Sequence, residues 1–162
     1  MAIAGASLGW NIYKEYAFRA QVIVSMSIVK LFPPIDGSDN EYIVVRCVNK
    51  GPGPVTLGGI CCQCVDLSTL GSVKTGHAVI NFVGFRWGGD NLPKRLEISE
   101  TARFFAPFST DCFLSLDLKQ VTVWDSYNRD HKIPIAQIRA ARNRYVEQFY
   151  NASSSQSTDA IN

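Results

Sequence analysis

Apolar and polar residues alternate along most of the chain with a period of two, which is typical of half-buried β-strands. The first alternating segment begins at Gln21, and Val22, Val24, Met26 and Ile28 share one of its faces. Clusters of glycine, proline, asparagine and aspartate separate the segments and predict turns. The strands predicted after the first are Glu41 to Asn49, Val55 to about Asp66, roughly Ala78 to Trp87, Leu96 to Ile98, Ala102 to Phe108, Gln120 to Trp124 and His131 to Ile133.

Short strands with turn residues roughly every 8 to 12 positions, and without helices between them, predict an antiparallel β-sandwich. One strand carries Gly58-Gly59 at the point where its apolar residues change phase, which predicts a β-bulge. After Pro134 the period becomes helical, with Ile135, Ile138, Arg142, Tyr145 and Phe149 on one stripe. The fold class is therefore mainly β, with a C-terminal amphipathic helix.

The two ends of the chain differ in character from its middle. Residues 1–13 carry no charge before Lys14-Glu15, and this run is shorter than the roughly 20 apolar residues that span a bilayer. It predicts an N-terminal helical segment, which either docks on the domain or touches a membrane surface through residues 1–18. We expect a helical segment at 1–20, the β-sandwich with its C-terminal helix at 21–150, and a disordered serine-rich tail at 151–162.

Composition and motifs exclude several classes of function. The 162 residues fit one domain, and 19% charged residues with a net charge of +2 predict no specific binding of nucleic acid. Asp125, Ser126 and His131 supply the residue types of a catalytic triad, but a triad requires a fixed geometry and an oxyanion hole. The sequence contains no nucleophile elbow, zinc-protease motif or phosphate-binding loop. We therefore expect no enzyme and no cofactor.

The cysteines form the most unusual cluster in the sequence. Strand periodicity places Cys62 and Cys64 on the inward face and Cys61 on the outward face. One interpretation is that they are small buried side chains in a reducing, cytoplasmic compartment. A second is a metal or redox site, in which Cys47 on a neighbouring strand is a third ligand and His77 a distant fourth. A third is structural disulfides, although the odd count of five cysteines disfavours a fully paired framework.

Two features of the sequence predict contact with a partner. If Val121 and Val123 face the core, Trp124 faces away from it, and it is either covered by a terminal helix or part of an interface. Arg139 and Arg142 lie on the C-terminal helix, where they form either a solvated face or a patch for an anionic partner.

Several stretches resemble a known group of proteins. Residues 44–51 (VVRCVNKG) and 54–57 (PVTL), with Ile60, resemble the V-x-N-x-G-x-x-P-V-T-I-x-x-I hairpin of small bacterial immunoglobulin-like proteins. Residues 92–97 (LPKRLE) and 121–126 (VTVWDS), with Arg129, also resemble that group. The resemblance spans about residues 20 to 135 and implies an immunoglobulin-like sandwich, often preceded by a hydrophobic helix. It implies no catalytic residue.

The sequence therefore predicts a non-catalytic protein-interaction module whose partner is another protein or a second copy, with contact to a membrane surface left open. A self-assembling structural protein is the alternative. A metal- or redox-responsive protein that uses Cys61, Cys62, Cys64 and Cys47 is the third.

Overall fold

A computed structural model describes Trp10, Tyr13 and residues 21–31, 41–66, 74–80 and 89–150, without the side chains of 65–66 and 74–80. The chain is mainly β, with two antiparallel sheets and a C-terminal helix. The predicted segment at 1–20, apart from Trp10 and Tyr13, and the predicted tail at 151–162 lie outside the described residues.

The first sheet has three strands in the order β1-β2-β6. These strands are β1 (Val22–Lys30), β2 (Glu41–Asn49) and β6 (Thr101–Pro107). Their period of two is confirmed, because Val24, Met26, Ile43, Val45 and Cys47 are all buried on the inward face. The outward face was expected to be exposed, yet Tyr42 and Val44 are buried there with Phe105 in a second, smaller cluster.

The second sheet has the order β4-β3-β7-β8, and β5 also pairs with β3. These strands are β3 (Val55–Asp66), β4 (Lys74–Ile80), β5 (Lys94–Leu96), β7 (Leu118–Asp125) and β8 (Asp130–Lys132). The predicted bulge is confirmed, because the register of β3 against β7 shifts between Leu57 and Gly59. The predicted strand at 78–87 begins earlier, at Lys74, and its residues 81–88 lie outside the described part of the chain.

One hydrophobic cluster joins the inward faces of both sheets. Phe104 and Val45 of the first sheet lie in the same cluster as Ile60 and Val123 of the second, and all four are fully buried. Burial of apolar surface on this scale is the main term that stabilises a domain. Leu96 joins the cluster because β5 pairs with β3, with Leu96 opposite Val55.

The C-terminal helix α1 spans Ile135–Tyr145 and continues as a π-helical segment, Val146–Tyr150. Ile138, Ala141 and Tyr145 are buried in the main cluster. The apolar stripe was predicted to start at Ile135, and this is wrong, because Ile135 is 45% exposed at the first turn. The helix also closes a sheet edge, since the side-chain oxygen of Gln137 accepts a hydrogen bond of 2.8 Å from the backbone N–H of Met26 in β1.

Candidate functional site

The β7–β8 hairpin carries a large aromatic side chain on the outer face of its sheet. Trp124 follows inward-facing Val123, and its indole is 39% exposed. It lies over the bulge in β3, where Gly58 and Gly59 leave room for the ring, because a methyl group on either glycine would overlap the indole. The bulge is therefore a seat for the Trp124 ring, which remains partly exposed to solvent.

A thiol and a carboxylate lie beside the Trp124 ring. Trp124 pairs with Gly59 on one side and with Asp130 on the other, and Cys61 lies one pleat further along β3. Partial burial and the charge of Asp130 raise the pKa of the Cys61 thiol, while a hydrogen bond from the Trp124 indole N–H opposes the shift. Cys61 is therefore mainly a neutral thiol at neutral pH, which makes it a weak nucleophile.

The turn between the two strands exposes a second aromatic residue. Tyr127 is 66% exposed, and the guanidinium carbon of Arg129 lies 4.7 Å from the centre of its ring. This distance is within the range of a cation–π contact, which holds the two side chains together. Large aromatic residues and arginine are enriched among the residues that dominate binding energy at protein interfaces.

A buried carboxylate fixes this turn. The Asp125 side chain accepts hydrogen bonds from the backbone N–H groups of Tyr127 (2.9 Å) and Arg129 (3.1 Å) and from the Arg129 Nε (2.9 Å). His131 Nε2 lies 2.9 Å from its Oδ2. Burial raises the pKa of Asp125, but hydrogen bonds from Arg129, His131 and the backbone outweigh this effect and lower it below its ordinary value. Asp125 is thus an anion that orders the hairpin.

The structure brings Asp125 and His131 together, as a triad would require, but Ser126 takes a different role. Its side chain is exposed, and its backbone N–H donates to the carbonyl of Thr56 in β3. Both oxygens of Asp125 are occupied by the turn that follows it. These hydrogen bonds of Asp125 stabilise the β7–β8 hairpin.

The four cysteines of the predicted metal or redox site are divided between the two sheets. Cys62 is fully buried and its sulfur lies 3.8 Å from that of Cys64, so the predicted inward face of this pair is confirmed. The expectation that Cys47 lies on a neighbouring strand is wrong, because β2 pairs with β1 and β6 in the other sheet. The backbone of His77 in β4 pairs with Gln63 of β3, which lies between Cys62 and Cys64 in the sequence. Among the described residues, no three metal-binding side chains form a group.

The helix arginines are separate from the hairpin. Arg142 forms an ion pair with Asp117, and Arg144 forms one with Glu41, so both tie the helix to the domain. Arg139 is exposed. Arg142 therefore makes a structural contact with Asp117. Of the three residues predicted to contact a partner, Trp124 is the one on the β7–β8 hairpin.

One motif of the resemblance also has a structural role. Asn49 is fully buried, and its side-chain amide donates to the carbonyls of Gly53, Leu96 and Glu97. Its side-chain oxygen accepts a hydrogen bond from the backbone N–H of Gly51. This one side chain joins the β2–β3 turn to the segment that follows β5.

Sequence reasoning missed the stacked pair of Tyr127 and Arg129. The available signal was the turn sequence 125–130 (DSYNRD), in which Asn128 takes the left-handed conformation at φ 59°. Aspartate and asparagine favour such turns, because their side chains bond the local backbone. The turn itself was predicted, but its two exposed side chains were not assigned a function.

Comparison of the chain with protein-family models, curated proteins and solved structures finds no match. Within the described residues, none of the helices combines the length and the apolar character needed to cross a membrane.

Proposed function

We propose that the chain is a non-catalytic protein-interaction module and that the β7–β8 hairpin is its contact surface. The observation that carries the proposal is the seat of Trp124, where two glycines support a large ring that remains 39% exposed. An aromatic side chain already ordered in its free state loses little conformational entropy on binding. The exposed Tyr127, stacked against Arg129, adds a second anchor on the same hairpin.

We further infer that the two sheets form an immunoglobulin-like sandwich. The shared hydrophobic cluster between their inward faces and the antiparallel pairing within each sheet support this architecture. In such a fold, a hairpin at the margin of a sheet presents side chains without disturbing the core. The free cysteines suit a reducing, cytoplasmic compartment, which is part of the same proposal.

The two edge strands of the three-stranded sheet make contacts that oppose strand pairing with a second copy. Gln137 accepts a hydrogen bond from the N–H of Met26 on the outer edge of β1. On the outer edge of β6, the Asp90 side chain accepts a hydrogen bond from the N–H of Arg103 (3.0 Å), and the Asp90 backbone N–H donates one to the Arg103 carbonyl (2.9 Å). Occupied edges oppose strand-to-strand assembly between chains. Self-assembly would therefore have to use a surface other than these two edges, such as the hairpin itself.

Photo-crosslinking tests the proposal. A benzophenone amino acid placed at position 127 is expected to form one adduct of discrete mass with a host protein, and Trp124→Ser is expected to abolish it. The control places the same group at Ile98, which is 57% exposed outside the hairpin. Thermal unfolding must first show that each variant folds.

The mass of the adduct separates the two leading functions. An adduct of twice the chain mass would favour self-assembly over a separate partner. Equal adducts from positions 127 and 98, or an adduct that persists in the Trp124→Ser variant, would contradict the assignment of the hairpin. Flotation with anionic vesicles, with and without residues 1–18, tests the separate proposal of contact with a membrane surface.

A further inference from the structure

The outer face of the three-stranded sheet carries an isolated pair of positive charges. Alternate residues of β1, β2 and β6 point outward, and among these described positions the charged side chains are Arg46 and Arg103. Both are exposed. The remaining outward positions are apolar or hydroxyl-bearing, such as Val44, Ser25 and Thr101.

The register places the two arginines side by side. Arg46 of β2 is directly opposite Arg103 of β6. The N–H and the carbonyl of Arg103 both form hydrogen bonds with Asp90, on the side of β6 that faces away from β2. Because neither group points toward β2, Arg46 and Arg103 form a non-hydrogen-bonded pair. In such pairs the α-carbons are only about 4.5 Å apart and the side chains are at their closest. Like charges that are directly opposite in a sheet destabilise it.

Acidic side chains in the described part of the chain do not offset this repulsion. Neither guanidinium group forms an ion pair within the described residues. Asp90, which borders β6, is engaged by the Lys94 ammonium at 3.1 Å and by the backbone N–H of Arg103. The pair therefore presents two positive charges and several N–H donors to solvent at directly opposed positions of the sheet.

We propose that Arg46 and Arg103 form a binding site for one phosphate group, either inorganic phosphate or a phosphomonoester. A phosphate dianion carries two negative charges, which match the two guanidinium groups, whereas a carboxylate would neutralise only one of them. The planar donors of arginine pair with phosphate oxygens in a bidentate manner. Ser25, which is opposite Arg46 on β1, is placed to add a hydroxyl donor. The absence of other charge on the described outward positions favours a single phosphate over a polyanion.

This site lies on a different sheet from the hairpin, so the two proposals can fail separately. Thermal unfolding at pH 7.5 is measured against the concentration of sodium phosphate, with sodium chloride added to keep the ionic strength constant. The wild-type chain is expected to show a saturable rise in melting temperature. Arg46→Gln and Arg103→Gln should each weaken the apparent affinity at least tenfold, because each variant leaves only one guanidinium group.

Arg95→Gln is the matched control, since Arg95 is an exposed arginine in β5 of the other sheet, and its phosphate response should equal that of the wild type. Without phosphate, both sheet variants should be at least as stable as the wild type, because the opposed charges are gone. A linear, non-saturating response, or equal loss of response in the Arg95→Gln variant, would overturn the proposal.

Two further ligands identify the source of the phosphate group. O-phosphoserine that binds at least as tightly as inorganic phosphate would support a phosphorylated side chain as the ligand, and preference for inorganic phosphate would support the free ion. Glutamate serves as the carboxylate control. If glutamate stabilised the chain as strongly as phosphate, the charge-matching argument would be wrong and the proposed ligand class would fall.

Discussion

The indole ring of Trp124 fills the space that a side chain at Gly58 would need. A methyl group at Gly58 would overlap the six-membered part of the ring, and one at Gly59 would overlap the pyrrole part near Nε1. The identity of the bulge residues and the position of the aromatic ring are therefore coupled across two strands.

Gly58→Ala should lower the free energy of unfolding by about 1 to 3 kcal/mol, because the new methyl group must displace the ring or the strand. Urea denaturation measures this change. The double variant Gly58→Ala/Trp124→Ala serves as the control, since removal of the ring should remove the overlap. The two substitutions are thus expected to be less destabilising together than the sum of their separate effects, and strict additivity would contradict the contact.

Stability in acid should depend on Asp125. Its pKa in the folded chain is below the ordinary value, so its stabilising charge is fully present above the unfolded pKa of about 3.9 and is lost as the pH falls through the folded value. Asp125→Asn should cost about 3 kcal/mol at pH 7, because it leaves Arg129 without its buried partner. The difference from the wild type should shrink below about pH 4.

Asp117→Asn is the control for this experiment. Asp117 forms an ion pair with Arg142 in an exposed setting, where such pairs contribute at most about 1 kcal/mol. Urea unfolding at pH values from 7 to 3 compares the two variants. A difference between Asp125→Asn and the wild type that stayed constant down to pH 3 would show that the Asp125 charge does not supply the stabilisation.

Two isoleucines on one helix test how α1 is docked. Ile138 is 2% exposed and packs in the main cluster, whereas Ile135 lies one turn earlier and is largely open to solvent. Ile138→Ala should cost about 2 to 4 kcal/mol, and Ile135→Ala less than about 0.5 kcal/mol. Chemical denaturation measures both. Similar losses of stability in the two variants would show that the face of α1 that carries Ile138 is not the one that packs against the sheets.

Thiol labelling followed by mass spectrometry tests the register of β3. Cys62 is fully buried, and burial, with a smaller contribution from the charge of Asp90, raises the pKa of Cys47 to about 12, so both thiols should resist alkylation in the folded chain. Cys61 is partly exposed and should react before them. Its raised pKa predicts slow reaction at pH 7 that accelerates as the pH increases. Labelling of Cys62 ahead of Cys61 would refute this register.

Structural features that depend on residues close together in the sequence could be predicted from local patterns. The phase change at Gly58-Gly59 identified the bulge, and the alternation around Trp124 identified the outward position of its side chain. Both features follow from the two-residue period of a strand, which is visible within a few positions. The fixed geometry of the Trp124 seat required the distant pairing of β3 with β7.

Pairing between distant strands could not be predicted in the same way. Cys47 and Cys62 lie on consecutive strands, so adjacency was a natural expectation, but the chain passes from one sheet to the other between them. The burial of Tyr42 on an outward face likewise depends on what packs over it, and alternation alone does not encode this. Opposition of Arg46 and Arg103 became visible only with the register of β2 and β6.

The contact between Gln137 and Met26 has a consequence for synthesis of the chain on the ribosome. The N–H of Met26 belongs to β1, and its partner belongs to α1, 111 residues further along the chain. Until residue 137 has emerged, the free edge of β1 lacks this cover, and an open strand edge can pair with other nascent chains. Chains that stop before α1 would keep that edge open at Met26, so a part of the domain that is made late protects a part that is made early.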